Sequence, residues 1–228
     1  MLDWEAIRLT LLLAATTSAI LLLIGLPLAW WLASSRRMWR GWIEAVVALP
    51  LVLPPTVMGF YLLVLLGPRG PLGGAIESAL GLRMVFSFPG MVVASVLYSL
   101  PFAVQPFAAG FRAVDRRFLE ASWCLGISRI GTFFRIVLPL SWPSVLAGGV
   151  LSFSHTVGEF GVILMVGGNI PGVTRKISVS IYDSVQAMDY PSAGLTAGLL
   201  LVFSFLVLST MYSLQNLTRT SLWPRHST

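Results

Sequence analysis

The sequence predicts an all-α integral membrane protein with about five transmembrane helices. Three observations carry that prediction. Hydrophobic residues make up 56% of the 228 positions and charged residues only 11%, with a mean hydropathy of +0.84; a soluble domain carries about 25% charged residues. Apolar runs long enough to cross about 30 Å of hydrocarbon recur along the chain. The basic residues sit in the stretches between those runs. A chain this poor in charge cannot cover a water-facing surface, so the solvent for most of it is lipid. The net charge of +6, which in a soluble protein points to nucleic acid, here reads as membrane topology.

The N-terminus, Met1-Leu2-Asp3-Trp4-Glu5, has no basic residue before the first apolar run, so no cleavable leader is expected. The first span is expected from about Leu9 to Ala33. A helix of about 25 residues is about 37 Å long and crosses with tilt. Pro27 is expected to kink it near its exit. Trp30, Trp31, Trp39 and Trp42 gather at that end as an interfacial belt, and Arg36, Arg37 and Arg40 follow.

The second span is expected from about Ile43 to Leu66. Pro50, Pro54 and Pro55 remove backbone donors within it. Either the helix is simply kinked, or it is discontinuous beside a pathway, because broken backbone at membrane depth is tolerated only against protein or a wet cavity. Pro54, Pro55 and Gly59 are therefore pathway or gate candidates. A Gly/Pro-rich connection with Arg69 and Arg83 leads to the third span, about Phe88 to Gly110, which holds Pro89, Pro101 and Pro106.

A polar segment, residues 112–139, comes next. Asp115 can cap a helix whose Leu119, Trp123, Ile127 and Ile130 form one apolar stripe. Gly126 is placed to stop that helix. Ser128 can cap a second one, which Pro139 is expected to end. Two short amphipathic helices at the membrane surface are expected, with arginines able to rest on anionic headgroups. The fourth span is expected from about Leu140 to Val166. A longer connection with Arg175, Lys176, Asp183 and Asp189 follows, then a fifth span from about Ser192 to Leu214. Arg219, Arg225 and His226 lie in the tail.

Counting basic residues orients the chain. Arg36, Arg37, Arg40, Arg112, Arg116, Arg117, Arg129, Arg135, Arg219 and Arg225 fall on one side. Arg8, Arg69, Arg83, Arg175 and Lys176 fall on the other. The richer side is expected in the cytoplasm, with the N-terminus outside and the C-terminus inside.

The polar segment also carries a spaced pattern. Glu120-Ala121-Ser122 is followed by Gly126 four residues after Ser122, by Ile136 ten residues later, and by Leu138-Pro139. This resembles the EAA signature of ABC-importer permeases, departing from it only at Ser122, where alanine is usual. The stretches LPLVLPPTVMGFYLLVLLGPRGPLG (Leu49 to Gly73) and VGEFGVILMVGGNIPGVTRKISVSIYDSVQAMDY (Val157 to Tyr190) look like the molybdate permease branch, with sulfate and tungstate permeases close by. The resemblance covers nearly the whole chain. It implies a type I ABC-importer permease core with a cytoplasmic coupling helix, 112–139 forming the coupling segment of a single domain, 1–228. It implies transport of molybdate or a similar tetrahedral oxyanion by alternating access. It also implies two copies of a separate ATPase subunit, a periplasmic or surface binding protein and a second permease copy. Glu120, Ala121, Ser122, Gly126, Ile136, Leu138 and Pro139 would make the ATPase contact, the small side chains at 121 and 122 permitting close approach.

The remaining chemistry is sparse. The only lysine, Lys176, has no GxxxxGK context, so this chain is expected to hold no nucleotide; ATP and Mg²⁺ would be bound by the partner. Glu159 lies inside an apolar run, where a carboxylate is costly. It reads as a hydrogen-bonding group near a gate, a pathway or coupling residue, or a proton carrier; the last defines an alternative proton-coupled carrier. With Gly161, Glu159 joins the gate candidates. Ser154 and His155 have no acidic partner for nucleophilic catalysis, and no residues have metal-ligand spacing. Arg69, Arg175 and Lys176 read as ordinary loop charge, or as charges that steer an anion or meet a binding protein. Cys124 excludes an internal disulfide and reads as a small, half-buried apolar residue.

Overall fold

A computed structural model describes residues 2–35 and 37–222, with side chains described to residue 213. Arg36, Arg225, His226 and the side chain of Arg219 fall outside the described residues. Every regular element among the described residues is helical.

Helix α1, Trp4–Ser34, starts where the Asp3 carboxylate accepts from the Ala6 amide at 3.0 Å, and runs through Pro27. It begins five residues before the expected span, because Asp3 supplies the cap. Helices α2 (Arg40–Val52) and α3 (Pro55–Leu66) meet at Leu53-Pro54 with a bend of 112°, so the second span is broken rather than merely kinked. The connection after it holds α4, Pro71–Leu80, with proline in its first turn and Gly81 at φ 65° just past its end. Helix α5, Phe88–Ala113, is capped by Ser87 and passes through Pro101 and Pro106.

The polar segment folds as α6 (Arg116–Cys124), α7 (Arg129–Thr132), a π-helical turn (Phe133–Val137) and a short α8 (Leu138–Leu140). Pro139 does not end this stretch. It sits in the first turn of α8, after the wide turn in which the Leu138 amide reaches back to the Phe133 carbonyl, and the break comes at Ser141.

The fourth span is two helices, α9 (Trp142–Gly158) and α10 (Gly161–Gly167), where one was expected. The connection beyond them holds α11, Ile177–Gln186, and α12 runs over Tyr190–Leu222. Three helices, α1, α5 and α12, are long and apolar enough to cross a membrane. The α2–α3 pair and the pair formed by residues 129–140 with α9 bring the number to five if each bent pair is one span.

The centre of the bundle is α5, packed against α1 on one side and α9 on the other. Phe107 is fully buried between Gly25 of α1 and Gly148 of α9. A Cβ on Gly148 would lie 2.5 Å from the Phe107 ring and 2.8 Å from the Ala103 carbonyl, so only glycine admits that approach. Close packing of small residues is the main source of helix association in lipid. Helix α10 packs on α3 and α5, while α12 touches chiefly α11 and α9.

Candidate functional site

Two regions draw the predicted residues together: the break in the fourth span and the polar foot.

At the break, α9 ends with carbonyls that have no helical partner and α10 begins with amides in the same condition. Glu159 turns extended (ψ 136°) and separates them. The residue is only 6% exposed, and its Oε1 accepts from the amides of Val162 at 2.6 Å and Ile163 at 3.2 Å. The carbonyls of Thr156 and Glu159 accept from Nζ of Lys176, the latter at 2.9 Å, and Ser178 Oγ donates to the Glu159 carbonyl at 2.8 Å. A cation thus meets the negative end of α9 and an anion the positive end of α10, each complementing a helix dipole.

This places Lys176 differently from expectation. It is 0% exposed, not a solvated loop charge or a docking residue, because residues 168–176 fold back over the break. Arg175 stays partly exposed and holds that loop from above. It donates from Nε to Asn169 Oδ1 at 2.7 Å, and its guanidinium lies 3.4 Å from Asp183 and 3.9 Å from Asp3. Ile177 N donates to Thr10 Oγ1 of α1 at 2.9 Å, so the loop is also tied to the first span. Arg69 is exposed on the turn between α3 and α4.

Beside the break lies a cleft of about 530 Å³ lined by Pro55, Tyr98, His155, Glu159, Phe160 and Gly161, with Thr56 and Ser154. Three gate candidates, Pro55, Glu159 and Gly161, therefore share one wall. Pro54 caps α3 at the same place. Gly59 lies outside the cleft lining, where a Cβ would lie 2.8 Å from Met165 of α10; its smallness serves the α3–α10 contact. Glu159 Oε2 is buried without a hydrogen-bond partner among the described residues. His155 hydrogen-bonds Ser99 Oγ through Nδ1 at 2.9 Å and stacks on Phe102, so it is not paired with Ser154.

At the foot, Asp115 Oδ1 accepts from Arg117 N at 2.9 Å, and Ser128 Oγ accepts from Gly131 N at 3.2 Å. Both expected caps are in place. Gly126 adopts φ 77° with open space around it, which lets α6 turn toward α7. Glu120 and Ala121 face outward, Glu120 3.2 Å from Arg116. Ser122 does not. It is 2% exposed, and its Oγ lies 2.7 Å from Thr132 Oγ1 and donates to the Leu119 carbonyl. The expectation that it offers a small outer surface gives way to an internal bond between α6 and α7. Cys124 is exposed rather than half-buried. Ile136 and Leu138 are half-buried and Pro139 is exposed. Phe133 anchors the segment to the bundle against Trp30 of α1 and Phe111 of α5, with ring centroids 5.5 Å apart in each case.

Residues 25–220 match the family described as "Binding-protein-dependent transport system inner membrane component". The chain belongs to this family. Among its relatives, the "Molybdenum transport system permease protein ModB" of Azotobacter vinelandii is 54% identical over 92% of this chain and 93% of that protein. The "Probable sulfate transport system permease protein cysT" of Anthoceros angustus is 39% identical over 86% of this chain and 67% of that protein. A solved structure of the MetNI methionine ABC transporter in an inward-facing conformation superposes with a TM-score of 0.75 at 14% identity, over 94% of this chain and 95% of that one; at that identity the likeness is one of fold. As an inner membrane component of a binding-protein-dependent system, the chain is a multi-pass translocation component of an importer-type fold.

The sequence missed the Lys176 clasp with the Thr156 and Glu159 carbonyls, the Ser178 bond beside it, the place of Tyr98 in the cleft wall and the His155–Ser99 bond. The available signal was slight: one lysine in a chain whose other basic residues are arginine, and a compact ammonium suits converging carbonyls better than a planar fork.

Proposed function

We propose that the chain is the membrane-spanning permease subunit of an ATP-driven importer of molybdate or a similar tetrahedral oxyanion. The observation that carries this reading is the 54% identity, across nearly the full length of both chains, to the Azotobacter vinelandii molybdenum permease.

On this reading the richer basic side lies in the cytoplasm and the N-terminus outside. Two copies of the chain flank the pathway, surrounded by membrane lipid. Two ATPase subunits, which bind ATP and Mg²⁺, dock on the foot through Glu120, Ala121 and Gly126, with Ile136, Leu138 and Pro139 at its root. Ser122 shapes that surface from within. This chain supplies no nucleotide site and needs no cofactor of its own. A loaded binding protein meets the outer loops bearing Arg69 and Arg175. ATP draws the ATPases together, the feet follow, and the pathway opens outward; hydrolysis returns it inward. Pro54, Pro55, Glu159 and Gly161 belong to the moving wall of that pathway, whereas Gly59 keeps α3 against α10.

The test is uptake in vesicles holding the complete transporter, with binding protein outside and ATP inside. Molybdate uptake should need both and stop with vanadate. Vanadate-resistant uptake abolished by an uncoupler would identify a proton-coupled carrier instead. The 39% identity to a sulfate permease favours sulfate as the second reading; sulfate that displaces molybdate at equal concentration would select it.

A further inference from the structure

We propose that the cleft between α6 and the ends of α1 and α5 binds the phosphate group of an anionic membrane lipid. The cleft encloses about 630 Å³, and its lining includes Trp30, Arg40, Arg112, Arg116, Trp123 and Arg129. Four arginines thus line one space. Among the described residues two carboxylates answer them. Glu44 is shared by Arg112 at 2.7 Å and Arg40 at 3.6 Å, and Glu120 takes Arg116 at 3.2 Å. Arg129 has no carboxylate within ion-pair distance among the described residues. Four arginines against two carboxylates leave a surplus of two positive charges around a common cavity, which favours an anion, and planar guanidinium forks match the oxygens of a tetrahedral phosphate.

Free phosphate and a lipid headgroup share this chemistry. The surroundings favour the lipid. Ile130 and Phe134, just beyond Arg129, are 73% and 61% exposed, a pairing of apolar and basic groups that suits a molecule with both a charged head and acyl chains. Trp30 and Trp123 in the lining are residues that settle at headgroup depth. Since α6 forms one wall, an occupied cleft props the foot at a set distance from the bundle. The inference rests on the bilayer placement of the spans given above and not on which anion is transported. Failure of molybdate uptake therefore leaves it untouched.

The experiment uses the full chain, purified in detergent with its partner subunits and examined by native mass spectrometry. Phosphatidylglycerol should be retained on the permease and phosphatidylcholine should not. Arg129→Gln should weaken retention about fivefold, the worth of one basic residue at an anionic surface. Arg129→Lys, which keeps the charge but not the planar fork, should restore retention in part, which separates lost charge from lost fold. Arg117→Gln, on the same helix as Arg116 but outside the cleft lining, should leave it unchanged. Equal retention of the two lipids would overturn the proposal, as would an equal loss in Arg117→Gln. Protection against thermal unfolding by millimolar inorganic phosphate, with no lipid retained, would reassign the cleft to a soluble anion. Loss of the lipid whenever the partner subunits are bound would make the cleft part of a protein contact.

Discussion

Lys176 is held where water does not reach, against the carbonyls of Thr156 and Glu159. Taking an ammonium out of water is costly, and only good hydrogen bonds and an opposing charge offset it. The carbonyls of a broken helix supply the former and Glu159 the latter. A hydrogen bond to a charged group contributes about 1.5–3 kcal/mol, so losing the ammonium should be felt at once. Lys176→Met is expected to lower the thermal midpoint of the purified permease and to cut uptake at least about tenfold, the equivalent of about 1.4 kcal/mol, while membrane insertion persists. Wild-type midpoint and uptake in that variant would show that the ammonium is dispensable. Glu159→Gln keeps an acceptor for the Val162 and Ile163 amides but removes the charge. Its uptake should be reduced less than that of Lys176→Met. Glu159 was legible as a hydrogen-bonding group, but the burial of Lys176 was not. A lysine between two spans reads as solvated, and the fold-back that buries it depends on contacts between residues far apart in the chain, such as Ile177 with Thr10.

The elements of the foot were far more legible, because their signals are local. Asp115, Gly126 and Ser128 act within three residues of where they stand. Pro50, Pro54 and Pro55 likewise marked the place, leaving a kink or a break open, and the chain breaks there between α2 and α3. The break between α9 and α10 has no proline; Glu159 makes it by leaving the helix and capping the next one, and periodicity alone does not register that. The facing of Ser122 was also hidden, since its partner Thr132 lies on another helix. Two variants follow. Ser122→Ala removes an internal bond worth about 1 kcal/mol; faster hydrogen exchange over residues 116–132 is expected, with ATPase co-purification unchanged. Gly126→Asp should do the reverse. Aspartate at φ 77° is strained by about 1–2 kcal/mol but tolerates positive φ better than most residues and meets no clash there, so membrane insertion is expected to persist while a charge is added to the proposed docking surface. Co-purification and stimulated ATPase activity should fall. If both stay at wild-type level, the coupling assignment is wrong.

For the whole molecule, composition and the recurring apolar runs were enough to announce a helical membrane protein, and charge counting proposes a direction for it. What neither could supply is how the spans nest, which depends on matched surfaces such as Gly25 and Gly148 around Phe107. The direction can be checked with the chain's own chemistry. Cys124 is the only cysteine and is exposed on the foot. A membrane-impermeant maleimide should label it in inverted vesicles and leave it unlabelled in intact cells; the opposite pattern would reverse the topology. The same economy of residue types gives a second handle. The one lysine side chain is closed inside the break, so an amine-reactive reagent has nothing to modify on the resting chain beyond its amino terminus. Label that reached Lys176 only during turnover would report an opening of the loop that closes over the break.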